Sequence, residues 1–242
     1  MTKLRVYLSV VLAGTCIPCS PSYGVTPNQT SAEMLRVIEK TVQSNYLIYL
    51  PEGSQDTDEK WPLLLFLHGS GERGTDLDSV AVWGPPRMIA DGHTFPFIVV
   101  SPQCPPDQWW SEDVLVALLD DLVERYQVDE DRIYVTGLSM GGYGTWNLAA
   151  AVPDRLAAIV PICGGGSPDL ASRIKDIPTW AFHGAKDEAV LLSESTKMVN
   201  ALYSVGSNVH FTVYPEAGHV DAWKKAYADP ALWEWLEKQR RP

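Results

Sequence analysis

The sequence is poor in cysteine and in positive charge. Four cysteines stand among 242 residues, and no set of Cys, His and carboxylates recurs at the spacings that hold a metal ion, so no metal and no other cofactor is expected. Lys and Arg total 19 against 30 Asp and Glu, a formal charge of −11. So acidic a surface repels polyphosphates and anionic bilayers, and neither a nucleic-acid partner nor a stable membrane association is expected. No apolar run reaches the roughly 20 residues that span hydrocarbon comfortably. Internal repeats, heptads and low-complexity blocks are also missing, which excludes solenoids and coiled coils.

What is present begins with a leader. Lys3 and Arg5 precede an apolar stretch from Val6 to Ile17, and small residues follow at Ser22 and Gly24. This is the pattern of a secretory signal peptide over residues 1–24, with the mature chain at 25–242 secreted or periplasmic. Leu12-Ala13-Gly14 precedes Cys16, but Thr15 spoils the spacing of a lipid-attachment box, which argues against lipoprotein anchoring. Beyond the leader, 45% hydrophobic residues are ample for one buried core. Apolar strand-like runs alternate with helical patterns. One of these spans Val114 to Tyr126, with Leu115, Leu118, Leu119 and Leu122 on one side. The alternation predicts one α/β domain with a mostly parallel sheet flanked by helices and no large cap. Ser54 to Lys60 reads as a solvated loop between strands.

The most specific signal lies at residues 132–144. Arg132 to Thr136 is a β-branched strand, Gly137-Leu138-Ser139-Met140-Gly141 is a Gly-x-Ser-x-Gly corner, and a helix follows that stops near Pro153. A serine at such a corner is exposed at the end of the sheet, and the glycines leave room for the close crossing of strand and helix. Its hydroxyl is a weak nucleophile and needs a base, and that base needs an acid to orient it. The chain order serine, acid, histidine points to Asp187, just past the strand at 179–184, and to His219, just past the strand at 209–214. His68 precedes the serine, His183 and His210 lie inside strands, and His93 precedes one, so these four read as structural or exposed. Among the acids, Asp176 is at the wrong end of its strand, and Glu216 and Asp221 stand too close to His219. Glu188 remains the alternative to Asp187. Two N–H donors are needed for an oxyanion. Met140 supplies one, and the glycine-rich loop His68-Gly69-Ser70-Gly71-Glu72-Arg73-Gly74 supplies the other, at Ser70 or else Gly71.

The segments Leu67 to Gly74, Ser101 to Pro105, Gly137 to Gly144, Phe182 to Asp187 and Ala217 to His219 resemble the small single-domain α/β-hydrolases. That group takes in carboxylesterases, phospholipase/carboxylesterases and dienelactone-hydrolase-like proteins, and lies near feruloyl and acetyl-xylan esterases. The likeness runs from about Val42 to Gln239 and implies the α/β-hydrolase fold, with Ser139 as nucleophile, Asp187 as acid and His219 as base. Dienelactone hydrolases proper use cysteine as nucleophile, so Ser139 implies ordinary carboxylic ester hydrolysis through an acyl-enzyme. A prolyl-oligopeptidase-like peptidase and a non-catalytic hydrolase-fold binding protein remain alternatives. In the usual strand order of this fold two strands separate Cys104 from Cys163, about 14 Å at the ordinary strand spacing, which favours free thiols over a disulfide. Nine tryptophans are a heavy load for this length. Trp83, Trp109, Trp110 and Trp223 could all face the cleft; Trp83 and Trp110 are read as substrate-binding, and packing is the favoured reading for Trp109 and Trp223. Flat rings suit a small-molecule or acylated-saccharide ester as partner.

Overall fold

The computed structural model describes Met34 and residues 39–241. The expected leader, with Cys16 and Cys19, lies outside the described residues. The chain divides into two units, Met1–Val42 and Gln43–Pro242. The described residues of the first, Met34 and 39–42, carry no helix or strand, and every element below belongs to the second.

Seven strands form one sheet: β1 (Tyr46–Tyr49), β2 (Trp61–Leu67), β3 (Ile98–Pro102), β4 (Val128–Leu138), β5 (Ala158–Ile162), β6 (Thr179–Gly184) and β7 (Val209–Tyr214). Their order is β1-β3-β2-β4-β5-β6-β7. Only β1 runs antiparallel, against β3, and the other pairings are parallel. The central strands are apolar on both faces because helices cover both. Along β2, Leu63, Leu65 and Leu67 enter one core while Leu64 and Phe66 enter the other, the period of two that a strand imposes. Pro161 sits inside β5, where it has no N–H to give. On either side of it, Ile159 donates to Pro178 O just before β6 and Cys163 donates to Phe182 O within β6, at 2.9 Å each, so the ladder is interrupted at one rung rather than broken.

Helices α2 (Glu112–Arg125), α3 (Met140–Ala151), α4 (Ala171–Ile174) and α5 (Leu192–Ser204) cover one face. Leu115, Leu118, Leu119 and Leu122 of α2 are buried there, as their spacing predicts. Helices α1 (Gly84–Ala90), α6 (His219–Ala228) and α7 (Pro230–Glu237) cover the other. The sheet and its two helical layers are the α/β-hydrolase architecture. Among the described residues no helix is long and apolar enough to cross a membrane. Strand β1 precedes the loop read between strands, but its bounds are not legible in the sequence: its four residues are all half-buried, without the alternation that marks an edge strand in sequence.

The order of the strands places the site. The chain leaves β2 toward β3 on one side and returns to β4 on the other, so the connections after β2 and β4 diverge and open a crevice between their carboxyl ends. Ligands of open α/β sheets bind at such switch points. Ser139 ends β4 and the glycine-rich loop ends β2.

Candidate active site

Ser139 has φ +54° and ψ −118°, a region that side chains avoid and that functional turns tolerate when the surroundings hold it. Those surroundings are specific. The Ser139 N–H donates to Ile162 O at 2.9 Å, and its carbonyl accepts from Tyr143 N–H at 3.1 Å, the first bond of α3. The glycines are dictated by contact. A Cβ on Gly137 would lie 2.3 Å from Gly141 O, and one on Gly141 would lie 1.8 Å from Leu67 O. Strand β2 and the start of α3 thus touch backbone to backbone, which brings the two loops of the crevice together.

The three residues read from the sequence meet at this edge. His219 Nε2 lies 2.9 Å from Ser139 Oγ, and His219 Nδ1 lies 2.5 Å from Asp187 Oδ2. Asp187 is buried, and its Oδ1 accepts the N–H groups of Ala189 at 3.0 Å and Val190 at 2.9 Å. The backbone donors thus fix one carboxylate oxygen while the other faces the imidazole. Glu188 is exposed, and Glu216 pairs with Lys186 on the surface. Asp176 stands before β6 at the opposite edge, in a separate cleft of about 190 Å³ with Asn208, His210 and Trp235.

The glycine-rich loop reaches the nucleophile at Gly69, where an added Cβ would lie 3.6 Å from Ser139 Cβ. Ser70 and Gly71 follow it and are exposed, while Met140 is buried at the first turn of α3. The first turn of a helix leaves its N–H groups without helical partners, so the Met140 N–H is free of α3. The loop is stapled from below. His68 Nδ1–H donates to Gly69 O at 2.6 Å, and its Nε2 accepts the Cys104 N–H at 3.0 Å. Gln103 Nε2 donates to Glu72 O at 3.2 Å and Asp76 O at 2.7 Å. The Gln103-Cys104 segment is therefore the support of the loop, a role that no local pattern in the sequence announces.

His68 has to stay neutral for this to hold, because a proton on Nε2 would face the Cys104 N–H. Burial is the main cause of its low basicity, and it brings the pKa from 6.5 down to about 4. A group that the unfolded chain protonates more readily stabilises the fold fully above about pH 6.5 and loses that contribution as pH falls toward 4. At about 1.36 kcal/mol per pH unit the shift amounts to about 3 kcal/mol. Urea unfolding at pH 7.5 and pH 4.5 should therefore differ, and His68→Asn, which keeps one donor and one acceptor, should flatten the difference. An equal difference in the variant removes His68 as the cause.

The tryptophans near the site differ in exposure and partners. Trp110 is half-buried against the core, its Nε1–H donates to His68 O at 3.2 Å, and its ring lies over Gly144. It braces the loop. Trp109, read as packing, is 63% exposed and stands edge-on to Tyr143 at 5.9 Å between centroids. Alternate neighbours on an irregular loop have no period from which sequence could choose between them. Trp83 is half-buried, edge-on to Trp223 at 6.0 Å, with Lys224 Nζ 4.9 Å over its ring. Trp223 is buried and packs edge-on to His219 at 4.7 Å, so it both fills the core and steadies the imidazole. Tyr143, one turn after Ser139, was not singled out. Burial, then the charges of Glu194 and Asp187, push its phenol above the usual range.

Cys104 and Cys163 are both buried and unpaired, and β2 and β4 separate the strands that carry them. Cys163 comes close to His183 and Asp187, with potential ligand atoms all within 4.8 Å. No sequence spacing announces this trio, and both oxygens of Asp187 and both nitrogens of His183 already have hydrogen-bond partners. Burial and the adjacent Asp187 push the Cys163 thiol well above its usual range, so it is a poor thiolate donor.

The Dienelactone hydrolase family matches residues 109–231, which contain Ser139, Asp187 and His219. Among curated proteins, a bifunctional acetylxylan esterase/xylanase of Neocallimastix patriciarum is 26% identical over 53% of this chain and 20% of its own length. A probable feruloyl esterase C of Aspergillus terreus is 26% identical over 64% of this chain and 59% of its own. Among solved structures, a thermostable esterase superposes with a TM-score of 0.70 at 35% identity, over 84% of this chain and 60% of that one. The chain thus spans less than two thirds of each of these relatives. The family match covers half of the chain, with Ser139, Asp187 and His219 but not the glycine-rich loop at 68–74, and the chain belongs to the dienelactone hydrolase family, with the α/β-hydrolase fold.

Proposed function

We propose that this protein is an exported serine carboxylesterase that cleaves its substrate through an acyl-enzyme. One observation carries the reading: the unbroken line from Asp187 through His219 to Ser139 Oγ, with contacts of 2.5 and 2.9 Å. In this reading His219 accepts the Ser139 proton as the oxygen attacks the ester carbon, and Asp187 holds the ring and stabilises the imidazolium. The N–H groups of Met140 and Ser70 receive the oxyanion. His219 returns the proton to the departing alcohol, then activates the water that releases the acid. Export follows from the leader read at residues 1–24.

The substrate we propose is a feruloyl or acetyl ester of a plant polysaccharide fragment. The names of the relatives and the exposed Trp109, edge-on to the half-buried Tyr143 one turn after Ser139, support it, since a flat ring suits a sugar or a phenolic acyl group. Trp109→Ala should raise KM for a feruloyl-saccharide ester about 5- to 20-fold, while KM for p-nitrophenyl acetate stays within about two-fold. Equal effects on both substrates would separate Trp109 from substrate choice. The proposed activity itself is tested with a panel of acetyl, butyryl and feruloyl esters, with proline-containing peptides in parallel and a fluorophosphonate probe. Ester turnover with Ser139 labelled is the expected result. Folded protein that turns over no ester and takes no label overturns the reading.

A further inference from the structure

His183 was read from sequence as a structural histidine inside β6. It is fully buried, and its surroundings are more particular than a filler requires. Its Nε2 lies 2.9 Å from Val190 O and 3.2 Å from Asp187 Oδ2. A backbone carbonyl and a carboxylate only accept, so Nε2 carries a hydrogen. Its Nδ1 lies 2.7 Å from Ser195 Oγ, whose hydroxyl also reaches Gly164 O at 2.8 Å. That oxygen, too, only accepts. Asp187 Oδ2 therefore stands between two imidazoles, His219 on the solvent side and His183 beneath, while Oδ1 is taken by backbone. Polar contacts run from Gly164 through Ser195 to His183, whose Nε2–H is hydrogen-bonded to Val190 O and stands 3.2 Å from Asp187 Oδ2, and from Asp187 through His219 to Ser139.

Hydrogen counting limits what this path does. The links from Gly164 to Ser195, from Ser195 to His183 and from His183 to its acceptors number three. A neutral ring and one hydroxyl supply two hydrogens, and with one fixed on Nε2 the Ser195 hydrogen must serve either Gly164 or Nδ1. Burial opposes a second ring proton and is the largest influence on His183, while Asp187 acts the other way. Either way the Nε2–H stays on the Asp187 side.

We propose that His183 is a positioning residue for the base: by holding its Nε2–H against Asp187 Oδ2 it fixes the carboxylate and takes a share of its charge, which limits how tightly the acid retains a proton on His219. The inference rests on the triad reading above. The other titratable groups around the acid are Cys163 from the loop after β5 and Tyr143 from α3, with Glu194 of α5 facing Tyr143. Lys186 pairs with Glu216, and Lys224 stands over Trp83.

The sign follows. Without the His183 donor, the full carboxylate charge falls on His219, and its imidazolium is stabilised. In His183→Leu the acidic limb of kcat/KM should move up by about 0.5 to 1 pH unit, with kcat lowered and KM within about two-fold. His183→Gln, whose amide can donate to Asp187 and accept from Ser195, should return the limb toward wild type. Rates are taken per site titrated with fluorophosphonate, so a merely structural role lowers the number of sites and leaves the limb in place. Should His183→Leu fail to fold, ¹⁵N-histidine spectra of the wild type decide: Nε2 of His183 protonated, with a shift that follows the titration of His219. An unmoved limb, an unprotonated Nε2 or a shift silent to His219 overturns the proposal. If Ser139→Ala retains full turnover, the triad reading fails instead; if it loses turnover while the limb of His183→Leu stays fixed, only this inference fails.

Discussion

Ser139→Ala is expected to reduce ester turnover by about 10⁴- to 10⁶-fold while the folded state changes by less than about 1 kcal/mol. The two effects separate because of where the hydroxyl sits. Only the Oγ is lost; the Cβ stays, and the backbone remains pinned by Ile162 O and Tyr143 N–H. The lost contact is a single hydrogen bond to His219, whose ring is partly open to water and can find another partner. In the reaction, by contrast, that oxygen is the atom that bonds to carbon. Stopped assays on p-nitrophenyl acetate measure the first effect, and urea unfolding measures the second. Turnover near wild type would end the nucleophile assignment. A large loss of stability would mean that the elbow depends on the hydroxyl for its shape.

Gly141→Ala should have the largest effect on folding. The new methyl would meet Leu67 O at 1.8 Å, Leu67 C at 2.5 Å and His68 O at 2.8 Å. All three are backbone atoms, so no side chain can rotate aside. Either α3 lifts away from β2 or the strand ends move apart, and the buried contacts of both are loosened. Overpacking of this kind costs about 3 kcal/mol or more. Activity should fall further than the folded fraction explains, because Leu67 leads directly into the loop that faces Ser139. Gly71→Ala is the control: nothing lies within 4 Å of its added methyl, and its stability should match wild type. A Gly141→Ala protein that unfolds at the wild-type urea midpoint would contradict the backbone contact itself.

How far the sequence carried the reading depended on the range of the signal. The strands at 179–184 and 209–214 were legible to the residue, and α2 nearly so, because apolar periodicity is local. The elbow was legible because its steric demands act on consecutive residues. Order along the chain and position past a strand end then singled out His219 among five histidines and narrowed the acid to Asp187 or Glu188. The bounds of β1 escaped because four half-buried residues carry no pattern. The choice between Trp109 and Trp110 escaped because it turned on which ring His68 O and Gly144 captured.

From residue order alone came the layered fold, the edge of the sheet where chemistry would sit, and the three side chains expected there. These depend on period, bend and chain direction, which neighbours in sequence impose on one another. Folding alone decided that His68 and Gln103 would brace the loop, that Trp109 would keep its face to water, and that His183 would share Asp187 with His219. Such pairings join positions remote in the chain, and their partners are chosen by close packing and by the need of every buried donor to find an acceptor.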